Sequence, residues 1–196
     1  MVNFTSNTYQ MKREILSFSN KISKHLSKPD KKFSADMTYG MLAAGSCLLT
    51  DVVEQLHEDT KKINSVERLT RHLNNGTSST ALKSYLTTIR KWAPQKPVIH
   101  IDDSDVVKPD GYKFEALGLV RDGSKSTASK TVYEKGYHVT EACVLTKNNH
   151  PVSIFSKIHS SKEKNFTSNN DVTFSAMERG AALFGKATFA MDRGYD

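Results

Sequence analysis

Two aspartates stand where the sequence could do chemistry. Asp102 follows the short apolar run Val98-Ile99-His100-Ile101, and Asp192 follows Ala187-Thr188-Phe189-Ala190-Met191. Each run reads as a strand buried on both faces. Each aspartate then opens a polar turn, Asp102-Asp103-Ser104-Asp105 in one case and Asp192-Arg193-Gly194 in the other. If the two strands are parallel neighbours, both carboxylates leave the sheet at one edge, where open α/β sheets commonly place their sites. Carboxylates about 5 Å apart at an effective dielectric near 20 repel by roughly 3 kcal/mol. A magnesium ion offsets that repulsion, because it prefers hard oxygen ligands and is often held by one or two carboxylates plus substrate phosphate. Two such ions activate a water or hydroxyl and steady the leaving oxygen in phosphodiester cleavage. The competing reading is that acids after strands are turn and cap residues.

Other chemistry is excluded more simply. Gly185-Lys186-Ala187 lacks the Ser/Thr and the upstream Gly of a phosphate-binding loop. Neither a Gly-x-Ser-x-Gly nucleophile elbow nor a Gly-x-Gly-x-x-Gly fingerprint occurs. His138, His150 and His159 form no recognisable metal pair and read as strand and loop residues, while Met37 and Met41 read as core filling. Cys47 and Cys143 are too far apart in sequence, and too isolated from other ligands, for a zinc module or a disulfide framework. The first residues do not form a basic-then-apolar signal peptide, and no run approaches the roughly 20 apolar residues of a membrane span. The expected location is the bacterial cytoplasm, associated with the nucleoid.

The elements that must position the two acids belong to the second half of the chain. After the strand at residues 98–101 comes polar loop through Gly111 and Gly123. Tyr137 to Thr146 and Pro151 to Ile158 read as strands joined across Lys147-Asn148-Asn149-His150. Asp171 can cap a helix carrying Phe174, Met177, Ala181 and Leu183, and the strand before Asp192 closes the order. The first half is helical instead. Met11, Ile15, Phe18, Ile22 and Leu26 keep helical spacing until Pro29-Asp30 breaks it. A second helix is expected over residues 34–44, stopped by Gly45, and a third from about Ser46 with Leu48, Leu49, Val52, Val53 and Leu56 inward. Ser65 reads as the N-cap of the next helix and Asn74-Asn75-Gly76 as its exit. Leu82, Leu86 and Ile89 carry the period on to Trp92, and Pro94 and Pro97 end it. The expected fold is α+β, divided into a helical region 1–96 and a mixed α/β region 97–196.

Charge divides the chain in the same place. The total is 28 Lys+Arg against 21 Asp+Glu, a net +7. Residues 1–96 carry 15 basic and 8 acidic side chains, a difference of +7, and residues 97–196 carry 13 of each. A polyanion is the usual partner of such a segment, since each Lys or Arg placed on a phosphate releases a counterion. Arg68, Arg71 and His72 fall on one face of their helix, suited either to a phosphate backbone or to plain solvation.

These residues carry a family likeness. Val98-Ile99-His100-Ile101-Asp102-Asp103-Ser104, followed by Lys108-Pro109, resembles the first-acid motif of bacterial insertion-sequence DDE transposases, in the group named after the fourth insertion sequence. Ala190-Met191-Asp192-Arg193-Gly194-Tyr195 resembles the second-acid motif, and Gly136-Tyr137 fits the pattern between them. The segment Ser65-Val66-Glu67-Arg68-Leu69-Thr70-Arg71 is similar to the DNA-binding and assembly region before the catalytic core. The resemblance implies an RNase H-like core, here incomplete, with two Mg²⁺ or Mn²⁺ ions held by Asp, Asp and Glu. It makes Asp102 the first catalytic and metal-binding acid, with Asp103 as its rival, and Asp192 the second. Only one of the neighbours Asp102 and Asp103 should face the ion, because side chains alternate along a strand. Arg68, Arg71, Lys108 and Arg193 become contacts to double-stranded DNA, at element ends and target, and the assembly allows a homodimer. The family's downstream Glu motif is not matched before Asp196, so the expectation is a truncated transposase, or a DNA-binding fragment that competes with the full-length enzyme.

Overall fold

The computed structural model describes residues 4–76 and 78–192. Among the described residues, six helices and one mixed sheet make the fold α+β. The chain divides into two compact units, one running to Thr88 and one starting at Ile89.

The first unit is helical: α1 (Phe4–Ile22), α2 (Lys28–Ala44), α3 (Leu49–Leu56), α4 (Lys62–Asn74) and most of α5 (Ser79–Trp92). Pro29 does not separate helices as expected but opens α2 in its first turn, where a missing N–H costs nothing. Ser27 is the cap, its hydroxyl accepting the Asp30 N–H at 3.3 Å. Gly45 ends α2 with φ of 60°, a left-handed residue that glycine adopts without strain. Val52, Val53 and Leu69 form the core, surrounded by Phe33, Met37, Met41, Leu49 and Val66. A Cβ at Gly40 would lie 2.5 Å from Val52 Cγ1, so glycine sets how closely α2 meets the residues of α3. Ser19 of α1 and Ser23 just past its end are buried, whereas Met11 is exposed. Ser19 Oγ meets Ser34 Oγ at 3.1 Å, and Ser23 Oγ donates to the Ser19 carbonyl at 2.7 Å. Ser65 is also not a cap: it lies within α4, buried, and donates to Glu58 at 2.6 Å.

The second unit holds β1 (Val98–Val107), β2 (Gly118–Arg121), β3 (Tyr133–Leu145), β4 (Pro151–His159), α6 (Asn169–Phe184) and β5 (Thr188–Met191). The long β3 is central. It pairs antiparallel with β1, and antiparallel with both β2 and β4, while β5 pairs parallel with β1. The strand order β4-β3-β1-β5 therefore needs a crossover from β4 to β5, and α6 supplies it.

Several features of this unit differ from the sequence expectation, beginning with β1, whose apolar run is buried at Ile99 and Ile101 but exposed at Val98 and His100. The acidic run does not end β1, because residues from Asp102 to Val107 stay in register with β3 as far as Gly136. The partner strand satisfies their backbone groups, and their side chains alternate between the two faces of the sheet. The segment expected as loop also contains β2. On α6, Ser168 rather than Asp171 is the cap, accepting the Asp171 N–H at 3.1 Å. The buried face is Val172, Thr173, Ala176 and Gly180, and Phe174 is 59% exposed. A Cβ at Gly180 would sit 2.4 Å from Ile99 Cδ1 and 3.1 Å from Phe189, so small residues let α6 lie close on β1 and β5. Among the described residues, no helix is long and apolar enough to cross a membrane.

Candidate functional site

The parallel pair β1–β5 is where the two aspartates meet the sheet. Its register runs from Val98 opposite Thr188 to Ile101 opposite Met191. Asp102 and Asp192 are the next position on each strand, and both are exposed. Adjacent strands lie about 4.8 Å apart, so the backbones leave these two residues side by side. On the other side of β1, Asp102 is paired with Glu141 of β3. Cross-strand partners share a face of the sheet, which sets a second carboxylate beside Asp102 that sequence reasoning did not single out. Its signal was present only in the register between two strands, not in any motif. The Cys143 thiol is 3.9 Å from Glu141 Oε1, and burial, then the Glu141 charge, push its pKa up.

Asp103 faces the other way, into a polar cluster. The Thr140 hydroxyl donates to Asp103 Oδ1 at 2.5 Å and lies 2.9 Å from His159 Nε2. Because Thr140 has one proton and gives it to the carboxylate, His159 Nε2–H is the donor in the second bond. His159 and Thr140 are fully buried, and His159 Nδ1 has no hydrogen-bond partner. Burial first, and the neighbouring His138 second, lower the His159 pKa, which keeps the ring neutral. His138 Nδ1 in turn lies 2.7 Å from Asp105 Oδ1. This chain of groups links β1, β3 and β4, and it ties Asp103 into the interior while Asp102 stays at the surface.

Among the described residues, no group of three or more His, Cys, Asp and Glu side chains could hold a metal ion. Asp102 on β1 and Asp192 just after β5 are both carboxylates, the hard-oxygen chemistry that magnesium prefers.

The expected DNA contacts are distributed over both units. Lys108 follows β1 and is exposed, with its backbone N–H donating to the Lys135 carbonyl at 2.7 Å. Arg193 lies outside the described residues. In the helical unit, Arg71 is exposed on α4. Arg68 is held internally: it bonds Asp36 at 2.8 Å and Glu58 at 3.0 Å. Lys32 joins the same carboxylates at 2.9 and 2.5 Å. Hydrogen bonds from Lys32 first, then Ser65, bring the Glu58 pKa down to about 2. His72 stacks on Phe33, with ring centroids 5.0 Å apart. Two members of the expected basic face thus have structural partners inside the unit. Along α1 Arg13, Ser17, Asn20 and Lys21 are exposed, as is Lys24 in the turn after it.

No protein-family model matches this chain, and no curated protein matches it.

Proposed function

We propose that the protein acts on double-stranded DNA as a transposase of the DDE kind, cleaving and rejoining phosphodiester bonds with a divalent metal. The observation that carries this reading is the parallel β1–β5 register, which ends at Ile101 opposite Met191, with Asp102 next on β1 and Asp192 the first residue after β5. The strand order supports it further, since an antiparallel β1-β3-β4 set followed by a helical return to a parallel strand beside β1 is compatible with an RNase H-like core. Asp102 and Asp192 would hold magnesium or manganese, with Glu141 beside Asp102 on the adjacent strand. When bound, the ion neutralises the paired carboxylates and stabilises charge on a phosphate. The protein's own part is to hold two anions side by side at an exposed strand edge, where a backbone phosphate can reach them. Lys108, exposed just after β1, can bind a flanking phosphate, and Arg71, exposed on the helical unit, is a separate candidate for backbone contact. Work on DNA would put the protein at the nucleoid.

A second reading, a DNA-binding module without cleavage, draws on the α1 face. Arg13, Ser17, Asn20 and Lys21 recur at helical spacing along one exposed side, with Lys24 in the turn that follows. One pair of measurements separates the two readings. Calorimetric manganese binding should weaken at least about tenfold in Asp102→Asn and Asp192→Asn, as expected when one of two charged ligands is neutralised. Heats identical to wild type in both variants remove the metal reading and leave the binding module. Affinity for duplex DNA should fall steeply with salt under either reading; salt-independent binding contradicts both.

A further inference from the structure

Beside the end of α5 and the turn between β3 and β4, the second unit contains a pocket of about 370 Å³. Two elements build it. The end of α5 supplies Lys91 and Trp92, and the turn between β3 and β4 supplies Lys147, Asn148 and His150. The Lys147 N–H donates to the Trp92 carbonyl at 2.9 Å, which fixes the turn against the helix end. Trp92 is the only tryptophan of the chain and is 41% exposed. An adjoining hollow of about 210 Å³ shares Lys91 and Lys147 and adds Arg90 and Gln95. Among the described residues lining the two hollows, none is a carboxylate.

Arg90 and Lys91 have one ready explanation, because cations in the last turn of a helix answer its dipole. That does not explain Lys147 and His150, which converge on the same place from another element. Nor does it explain an indole kept partly in water, where a large apolar ring gains nothing from exposure. An aromatic face beside cations and amides, with no carboxylate in its lining, fits a planar base carrying phosphates on either side. A duplex hides its base faces in the stack, so a fully paired end cannot use the indole in this way. We infer that this pocket binds an unpaired nucleotide of a DNA single strand, its base against Trp92 and its phosphates on Lys91, Lys147 and Arg90.

The single tryptophan makes the test specific to the pocket. The full chain is titrated with (dT)₁₂, with a blunt duplex and with thymidine monophosphate, with Trp fluorescence as the readout and no metal present. The single strand should quench the emission and bind at least about tenfold more tightly than either control. In fluorescence anisotropy with labelled (dT)₁₂, Trp92→Ala should weaken binding at least about fivefold, while Trp92→Phe retains most of it. Lys147→Ala should reduce the salt slope by about 0.7, the value of one lost phosphate contact on a single strand. Lys147 is exposed, so this variant tests the site even if Trp92→Ala fails to fold. Absence of quenching, equal quenching by the duplex, or a monophosphate binding as tightly as the oligomer each overturns the inference. Because no metal is involved, failure here leaves the Asp102–Asp192 reading standing.

Discussion

Replacing Glu58 by Gln tests whether the basic residues of α4 serve the fold before they serve any ligand. Glu58 receives Lys32 at 2.5 Å, Ser65 at 2.6 Å and Arg68 at 3.0 Å, and its pKa falls from 4.5 to about 2. A carboxylate held low in the folded state stabilises that state fully above its unfolded pKa and loses the contribution as it protonates. The window is therefore pH 4.5 down to about 2. At full strength the difference is worth about 3 kcal/mol. Lys32 is half exposed, with 52% of its side chain accessible against 22% for Glu58, so solvent screening reduces the figure to about 1–2 kcal/mol. Urea denaturation followed by the helical signal at 222 nm should show wild type ahead of Glu58→Gln by that amount at pH 6. The gap should shrink below pH 4.5 and close near pH 2. A constant gap, or none at pH 6, refutes the ion-pair argument. The same argument bears on DNA binding: Arg68→Ala should lower stability at pH 6, so Arg71→Ala, which removes an exposed side chain, is the cleaner probe of a phosphate contact.

Gly180→Ala should cost about 1–3 kcal/mol, because its Cβ would press on Ile99 and Phe189 within a packed helix–sheet contact; thermal melting at pH 7 gives the number, and an unchanged midpoint counts against the close approach. Thr140→Val removes the hydroxyl that joins Asp103 to His159 and should destabilise by about 1–3 kcal/mol, the range for a buried group left without its partner. His159 has a lowered pKa in the folded state, so its unfolded form takes up the proton first and stability should decline as pH falls below about 6.5. Replacing His159 by Phe should flatten that part of the profile, and a slope unchanged from wild type would show that another group causes it.

The parts of the fold that could be read from the sequence were those with a single strong signal. Gly45 as a helix stop and Val52 and Val53 as core follow from local chemistry alone, and the structure has them so. The errors share one physical origin, tertiary partners invisible to a local pattern. Ser65 has the chemistry of a cap, but Glu58 and Thr60 engage its hydroxyl inside the unit. The four-residue acidic run reads as a turn, yet β3 is long enough to keep it in a ladder. On α6 the apolar bulk of Phe174 suggested an inward stripe, whereas close packing on Ile99 selected Ala176 and Gly180. Of the candidate site, the sequence pointed to the two aspartates through apolar runs followed by acid, although Asp102 lies within β1 and does not end it; Glu141 depends on a register between segments nearly forty residues apart, about which no motif speaks.

The choice between Asp102 and Asp103 follows from that ladder and not from sequence spacing. Ile99 and Ile101 are buried beneath α6, and alternation sends Asp103 to their side of the sheet. There it meets Thr140, whose single proton it takes, and through Thr140 it is connected to a neutral buried histidine. A carboxylate so engaged has fewer lone pairs to offer a cation, and moving it would leave Thr140 and His159 without partners. Asp102 alternates to the side of His100, is exposed, and stands in a row between Glu141 and the position of Asp192. One strand thus separates two roles between adjacent acids: Asp103 helps hold β1 to β3 and β4, and that anchoring fixes the strand from which Asp102 is presented. The proposed metal site depends on both, though only one of them would touch the ion.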